Sequence, residues 1–339
     1  MNRTQLMERL DPLLNMKFKN IETSPRTKLE ITPDMIVLRP GDGSKMMEIA
    51  SEGITSIAKY TGFPEKLTQD LSNGIASSAM SELLRKKECF SLFTKDNKVV
   101  SIGKPKDWKP INTDRLFNTL EKSMPVQDYN RVMCLDNHIA RIEVVGEKRT
   151  VVPGSAIEND VIAGGAIINY SPIGTIQPSI QSFILRVWCT NGATTPLVSN
   201  QFTYGGGEGD DMWQWFRNTV RSAYTSVERI TQRFGEMANQ QIPPQDRAAI
   251  LESMLKEAHI RGENAKAIHA EALNNPPGSS WDMMNLITWG SSHVLENPIH
   301  IIRAQNTASN FIAASDHQRI CPVCHALRRG QTSTHSTQN

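Results

Sequence analysis

A glycine-rich, acidic stretch, YGGGEGDDM at 204–212, constrains the fold more than any other feature of the chain. Glycine loses more backbone freedom on ordering than any other residue, so three in a row with flanking acids read as a linker over 204–211. Ahead of it, apolar residues alternate in short runs between helical stretches; behind it they recur at helical spacing throughout. The strands therefore all fall ahead of the linker. That arrangement predicts an α+β protein, a mainly antiparallel sheet core with flanking helices followed by a C-terminal helical region. The expected organisation is an N-terminal helix and extended arm (1–45), an α+β core (46–203), the linker (204–211), a helical region (212–314) and a polar tail (315–339). With 39% hydrophobic and 21% charged residues, the chain carries enough apolar material for a sizeable core.

Within that frame, Leu6, Leu10, Leu13 and Leu14 mark an amphipathic first helix, and MIVLRP an extended piece. Helices follow over SEGITSIAKYTGFP, stopped by Gly62 and Pro64, and over about 65–86, with Leu67, Leu71, Ile75 and Met80 inward. Two hairpins turn at Asp96-Asn97 and Asp136-Asn137, with a helix at about 112–123 between them. Two longer strands, DVIAGGAIINYS and SIQSFILRVWCT, come next, and the second ends on Asn191-Gly192, a pair that enters the left-handed region at low cost. Helices are then expected at about 212–237, 244–274, 281–294 and 298–314, the first with acids at its positive end.

Charge is concentrated in one place. The whole chain carries +2, yet between Arg85 and Lys109 eight cations (Arg85, Lys86, Lys87, Lys95, Lys98, Lys104, Lys106 and Lys109) face three acids. Phe90, Phe93 and Trp108 are interleaved with them. Cations along a hairpin can hold a phosphate backbone while aromatics stack bases, the combination used by single-strand binders. The same pattern also describes a solvated hairpin whose phenylalanines face the core.

In the strand SFILRVWC, alternation puts Ile184, Arg186 and Trp188 on one side and Leu185, Val187 and Cys189 on the other. With the second side under the helices, Arg186 would lie on the opposite face beside the Trp188 ring. A buried guanidinium needs a partner, so Arg186 is expected to meet an acid, a carbonyl or a bound anion. Further on, WDMMNLITWGSSH at 281–293 sets Trp281, Asn285, Thr288 and Ser292 on one helix face and Asp282, Leu286, Trp289 and His293 on an adjacent one, with Ser280 as the expected N-cap. Such groups either lock the helix onto the sheet or line a groove.

The tail carries one metal-like signature, Cys321-Pro-Val-Cys324, with His317 and His325 close enough in sequence to complete a set and His335 farther along. A structural zinc, a redox-active pair and an incidental pair all fit that spacing. Enzyme signatures are missing: there is no Gly-Lys-Ser/Thr phosphate loop, no His-Glu-x-x-His and no Gly-x-Ser-x-Gly. Five cysteines, the start MNRTQLMERLDPLL with acids and no apolar leader, and the lack of an apolar run near 20 residues lead to the expectation of a cytoplasmic protein without membrane contact.

Three blocks read together resemble a known family: the Arg-x-x-Cys-x-Asn-Gly strand end (Arg186, Cys189, Asn191, Gly192), the helix WDMMNLITWGSSH, and FSLFTKDNKVVSIGKPKDWKPINTDRLFNTLEKSM upstream. They are similar to the phage- and plasmid-borne family catalogued as a domain of unknown function, number nine hundred and thirty-two, over roughly residues 50–300. The resemblance implies a phage-type protein in the host cytoplasm, with a distant relation to single-strand annealing proteins. Asn285, Thr288 and His293 occupy the places of that family's helix motif, and the Cys-Pro-x-Cys tail departs from its pattern. The reading that follows is a single-stranded nucleic-acid-binding protein without catalytic chemistry. It would bind DNA rather than RNA and act as a homo-oligomer, through Arg85, Lys86, Lys87, Lys95, Lys98, Lys104, Lys106 and Arg186, with Phe93, Trp108 or Trp188 stacking. The alternatives are a phage structural or host-interaction protein and, with less support, an enzyme built on Cys189 or His293.

Overall fold

The computed structural model describes residues 1–14, 17–22, 28–31, 36–39, 46–64, 66–70, 73–87, 89–103, 111–135, 139–155, 158, 160–172, 176, 178–187, 191–201 and 209–325. The fold is α+β, with two sheets and a C-terminal set of helices. Helix α1 (Arg3–Leu14) opens the chain and is followed by short strands β1 (Lys17–Glu22), β2 (Lys28–Ile31), β3 (Ile36–Arg39) and β4 (Met47–Ile49). Three helices, α2 (Ser51–Thr61), α3 (Leu67–Asp70) and α4 (Asn73–Arg85), precede the hairpin of β5 (Cys89–Lys95) and β6 (Lys98–Gly103).

These six strands form the first sheet, in the order β1-β5-β6-β4-β3-β2, with β4 and β6 parallel and the other pairs antiparallel. The stretch expected to be an extended arm thus supplies three of its strands. Asp96 and Asn97 make the hairpin turn with positive φ, as their residue types favour. Ile57, Ala58, Met80, Leu84, Phe90, Leu92 and Val99 build a core of their own between this sheet and its helices.

The helix expected over 65–86 is instead two, α3 and α4, and residues 71–72 lie outside the described residues. In α4 the buried line runs through Ala76, Met80 and Leu84 at helical spacing, so Ile75 is turned outward and Leu67 is exposed on α3.

Helix α5 (Thr113–Ser123), capped by Asn112, leads into a five-stranded antiparallel meander. Its strands are β7 (Val126–Leu135), β8 (Ile139–Val151), β9 (Val161–Tyr170), β10 (Ser179–Arg186) and β11 (Asn191–Gln201). The turn Asp136-Asn137 lies outside the described residues. Strand β10 stops at Arg186, which pairs with Asn191, while Leu185 pairs with Gly192. Asn191 and Gly192 are therefore the first residues of β11, paired with the end of β10, and not the reversal itself.

The C-terminal block comprises α6 (Asp210–Asn239), α7 (Pro244–Glu257), α8 (Gly262–Asn274), α9 (Ser280–His293), α10 (Pro298–Ala313) and α11 (Asp316–Ile320). The helix expected over 244–274 breaks where His259 takes a left-handed φ of 55° and the Ile260 N–H returns to the Leu255 carbonyl. The cap of α9 is Ser279, one residue before the expected Ser280. Its Oγ accepts the Asp282 N–H, and the Asp282 carboxylate accepts the Ser279 N–H.

Helices α1, α5 and the first half of α6 cover one face of the second sheet, enclosing Leu6, Leu10, Phe117, Ile142, Val144, Ile168, Trp213 and Phe216. A further core, with Ile184, Phe234, Met254, Trp281, Ile287 and Phe311, joins the sheet to the helical block. No helix among the described residues is long and apolar enough to cross a membrane.

Candidate functional site

The basic segment resolves into two groups. Arg85 and Lys86 are exposed at the end of α4, and Lys87 lies 5.3 Å from the Tyr60 ring. Register places Ser91 opposite Gly103, so the hairpin begins and ends beside this group. Lys95 and Lys98 sit at the far end of the hairpin, about 20 Å along a strand of this length. Arg85 pairs with Glu82 and Lys98 with Glu48, both at 2.5 Å and both solvent-exposed, so both pairs contribute little to stability. Phe90 and Phe93 point to opposite faces of the sheet and both are buried, because β5 is covered on both sides. Lys104, Lys106, Trp108 and Lys109, like Trp188 and Cys189, lie outside the described residues.

Arg186 is not on the surface. The side of β10 that carries Ile184 and Arg186 packs under the helices, the reverse of the expected orientation, while Leu185 faces Val145, Ala163, Ile167 and Phe183. Its Nε and Nη2 donate to Asp160 Oδ1 and Oδ2 at 2.6 and 2.7 Å, a bidentate pair with Asp160 fully buried. The Trp281 Nε1–H and the Ser155 hydroxyl also donate to Asp160, at 2.8 and 2.7 Å, and the guanidinium lies 5.8 Å from the Trp281 ring.

Burial pushes the Asp160 carboxyl up, but the donors from Arg186, Trp281 and Ser155 outweigh it and hold the group below its ordinary range. Of the partners open to Arg186, an internal acid is the one it meets. That use withdraws it from a phosphate-binding set.

The polar face of α9 is likewise turned inward. Asn285 Nδ2 donates to the Trp281 carbonyl at 2.9 Å, and the Thr288 hydroxyl to the Asn285 carbonyl at 3.0 Å, both side chains being buried. His293 is exposed and stacks on Trp289. Sequence reasoning missed a second buried polar network next to this helix. Arg141 on β8 donates to Asn169 and to Gln305 of α10, Gln305 donates to Glu143 at 2.6 Å, and Asn130 donates to the other Glu143 oxygen. Burial lowers the Arg141 guanidinium to about 10, with Glu143 opposing the shift and Arg131 adding to it. Alternation along β8 carries the signal, since Arg141 and Glu143 fall on the side opposite Ile142 and Val144.

The tail holds the most site-like group. His317, Cys321 and Cys324 bring one ligand atom each to within 4.8 Å of one another, a cluster able to hold a metal ion. His317 and Cys321 are one helical turn apart, which sets them on one face, and the Cys-x-x-Cys turn returns the second thiol. The Cys321 sulfur accepts the Cys324 N–H, which lowers its thiol, while the Cys324 thiol, hydrogen-bonded to Cys321, is raised. His325 does not join them. Its ring is buried, stacked on Phe311 with centroids 5.6 Å apart, and its Nε2–H donates to the Arg319 carbonyl at 3.2 Å. Packing on α10 holds that imidazole inward.

The cluster sits on a braced scaffold. Arg319, fully buried, donates to the Ala314 carbonyl at 2.6 Å and to Gln240 at 3.0 Å, and Arg233 donates to the same Ala314 carbonyl at 2.6 Å. Ser315 and Gln318 add a capping box to α11. Compared with protein-family models, curated proteins and solved structures, the chain finds no match in any of the three.

Proposed function

We propose that this chain is a phage-type single-stranded nucleic-acid-binding protein without catalytic chemistry, kin to the family of unknown function that its sequence resembles. It binds DNA in preference to RNA, works as a homo-oligomer in the host cytoplasm, and carries one structural zinc on the Cys321-x-x-Cys324 turn. The observation that carries the reading is the position of Arg85 and Lys86, exposed at the end of α4 where the chain enters β5 and leaves β6. Three more cations, Lys104, Lys106 and Lys109, follow β6 directly in sequence, with Trp108 among them. The ion pairs of Arg85 and Lys98 are surface pairs that a phosphate can displace at low cost. Binding is therefore electrostatic first, with base stacking left to Trp108 or Trp188, because Phe93 is buried.

Titration of a fluorescent single-stranded oligonucleotide tests this. Four or five phosphate contacts give a log–log salt slope of about −3 on a single strand. Arg85→Glu with Lys86→Glu should lower the affinity at least about tenfold and flatten that slope. Anisotropy that stays flat at about 50 mM salt overturns the reading, since non-specific phosphate binding is strongest at low salt.

A further inference from the structure

We infer that His317, Cys321 and Cys324 form a three-ligand, solvent-open site for a divalent transition metal, zinc first, whose fourth position takes an exchangeable small nitrogen or sulfur donor. The inference rests on the zinc reading above and adds that the protein does not close the coordination sphere. Zinc–sulfur and zinc–nitrogen bonds of about 2.3 and 2.0 Å put the ligand atoms of a tetrahedral site about 3.5 to 3.8 Å apart. The three atoms lie within 4.8 Å of one another, so each needs to move by about 1 Å or less to reach a common ion. His317 is exposed and both cysteines are half-buried, which leaves room for that adjustment.

Among the described residues, two groups nearby are rivals for the fourth position. His325 is committed to Phe311 and the Arg319 carbonyl, and withdrawing it would empty a packed position in the core. Asp246, at the start of α7, acts on Cys321 electrostatically but lies outside the 4.8 Å group. With Val323 also exposed between the cysteines, the fourth position faces solvent. Two thiolates and one imidazole favour zinc over magnesium or calcium and suit a soft incoming donor. With three protein ligands the zinc still ties the end of α11 to the Cys-x-x-Cys turn, and the fourth position exchanges its donor with solvent, which a closed four-ligand site does not allow.

Metal content of the dialysed full-length protein, followed by cobalt(II) substitution and titration with imidazole, separates the outcomes. The expected results are one metal per chain, a ligand-field spectrum typical of mixed sulfur and nitrogen ligation, and a saturable change in that spectrum on adding imidazole. His317→Ala, Cys321→Ser and Cys324→Ser should each weaken metal affinity at least about tenfold. His325→Phe, which keeps the stack on Phe311, and Asp246→Asn should leave it unchanged. If the metal is bound but imidazole leaves the spectrum unaltered, or if His325→Phe or Asp246→Asn abolishes binding, the open site is overturned while the zinc reading stands. If the intact chain binds no metal, both fail.

Discussion

Asp160→Ala is the substitution from which the physical argument has most to lose. The Asp160 carboxylate is fully buried, and Arg186, Trp281 and Ser155 all donate to it at 2.6 to 2.8 Å. Removing it strands a guanidinium that is itself only 7% exposed. Breaking a buried pair from one side costs about 3–5 kcal/mol, because the remaining charge has lost its partner and cannot return to water. At about 2.1 cal/mol/K per residue, cooperative melting of a unit of about 200 residues gives about 0.4 kcal/mol per degree, so Tm should fall by about 7–12 °C.

The double variant Asp160→Ala with Arg186→Met removes both charges and should recover most of that loss, since an apolar replacement of a whole buried pair is close to neutral. Circular dichroism melts of the wild type, both single variants and the double variant close the cycle. The pH dependence has a fixed sign. The folded carboxyl lies below its unfolded value of about 3.9, so its contribution is complete above about pH 4 and is lost as pH falls through the folded value. The gap between wild type and Asp160→Ala should therefore be constant near neutrality and narrow in acid. A single-variant loss below about 1 kcal/mol, or no rescue by the double variant, would refute the assignment of this pair as the tie between β10 and α9.

Two further substitutions test the second sheet. Gln305→Leu leaves Arg141 and Glu143 each short of a buried partner and should cost about 2–4 kcal/mol in chemical denaturation, whereas a loss under about 0.5 kcal/mol would mean that solvent reaches the network. Gly165→Ala places a Cβ 1.9 Å from the Val144 carbonyl oxygen, so the β8–β9 ladder must shift, at about 3 kcal/mol or more; Gly74→Ala, on α4 with open space around it, should be neutral or stabilising by about 0.5 kcal/mol, and equal effects at the two positions would sink the argument.

What the sequence made legible follows from the range of the interactions that set it. The Asp96-Asn97 hairpin, the start of α5 after Asn112 and the acidic first turn of α6 depend on neighbours within a few residues, and the structure places them close to where the sequence put them. Helix phase was harder: Ile75 is as apolar as Met80, but only the second falls on the line that meets β5 and β6, and no local rule chooses between them. At His259, a helix pattern that runs unbroken in sequence is cut by a left-handed residue that is not glycine.

The fate of Arg186 shows why the candidate site was the least legible part. That a buried arginine needs an electron-rich partner follows from solvation alone, and it is met. Which face of β10 is buried depends on α6 and α9, whose positions relative to the sheet are set by contacts across long separations: Asp160 receives one donor from 26 residues away and another from 121. The antiparallel register offers a partial clue, since Arg186 pairs with Ile162 and so comes within reach of the residue two positions before it. Trp281 offers none. His325 repeats the lesson in the tail: adjacency to Cys324 made it a plausible ligand, but packing on Phe311 and a carbonyl partner decide the direction of its ring. Spacing selects residues that can meet, and burial selects those that do. On that ground His317, exposed and one helical turn from Cys321, is the histidine with which the thiols can share an ion.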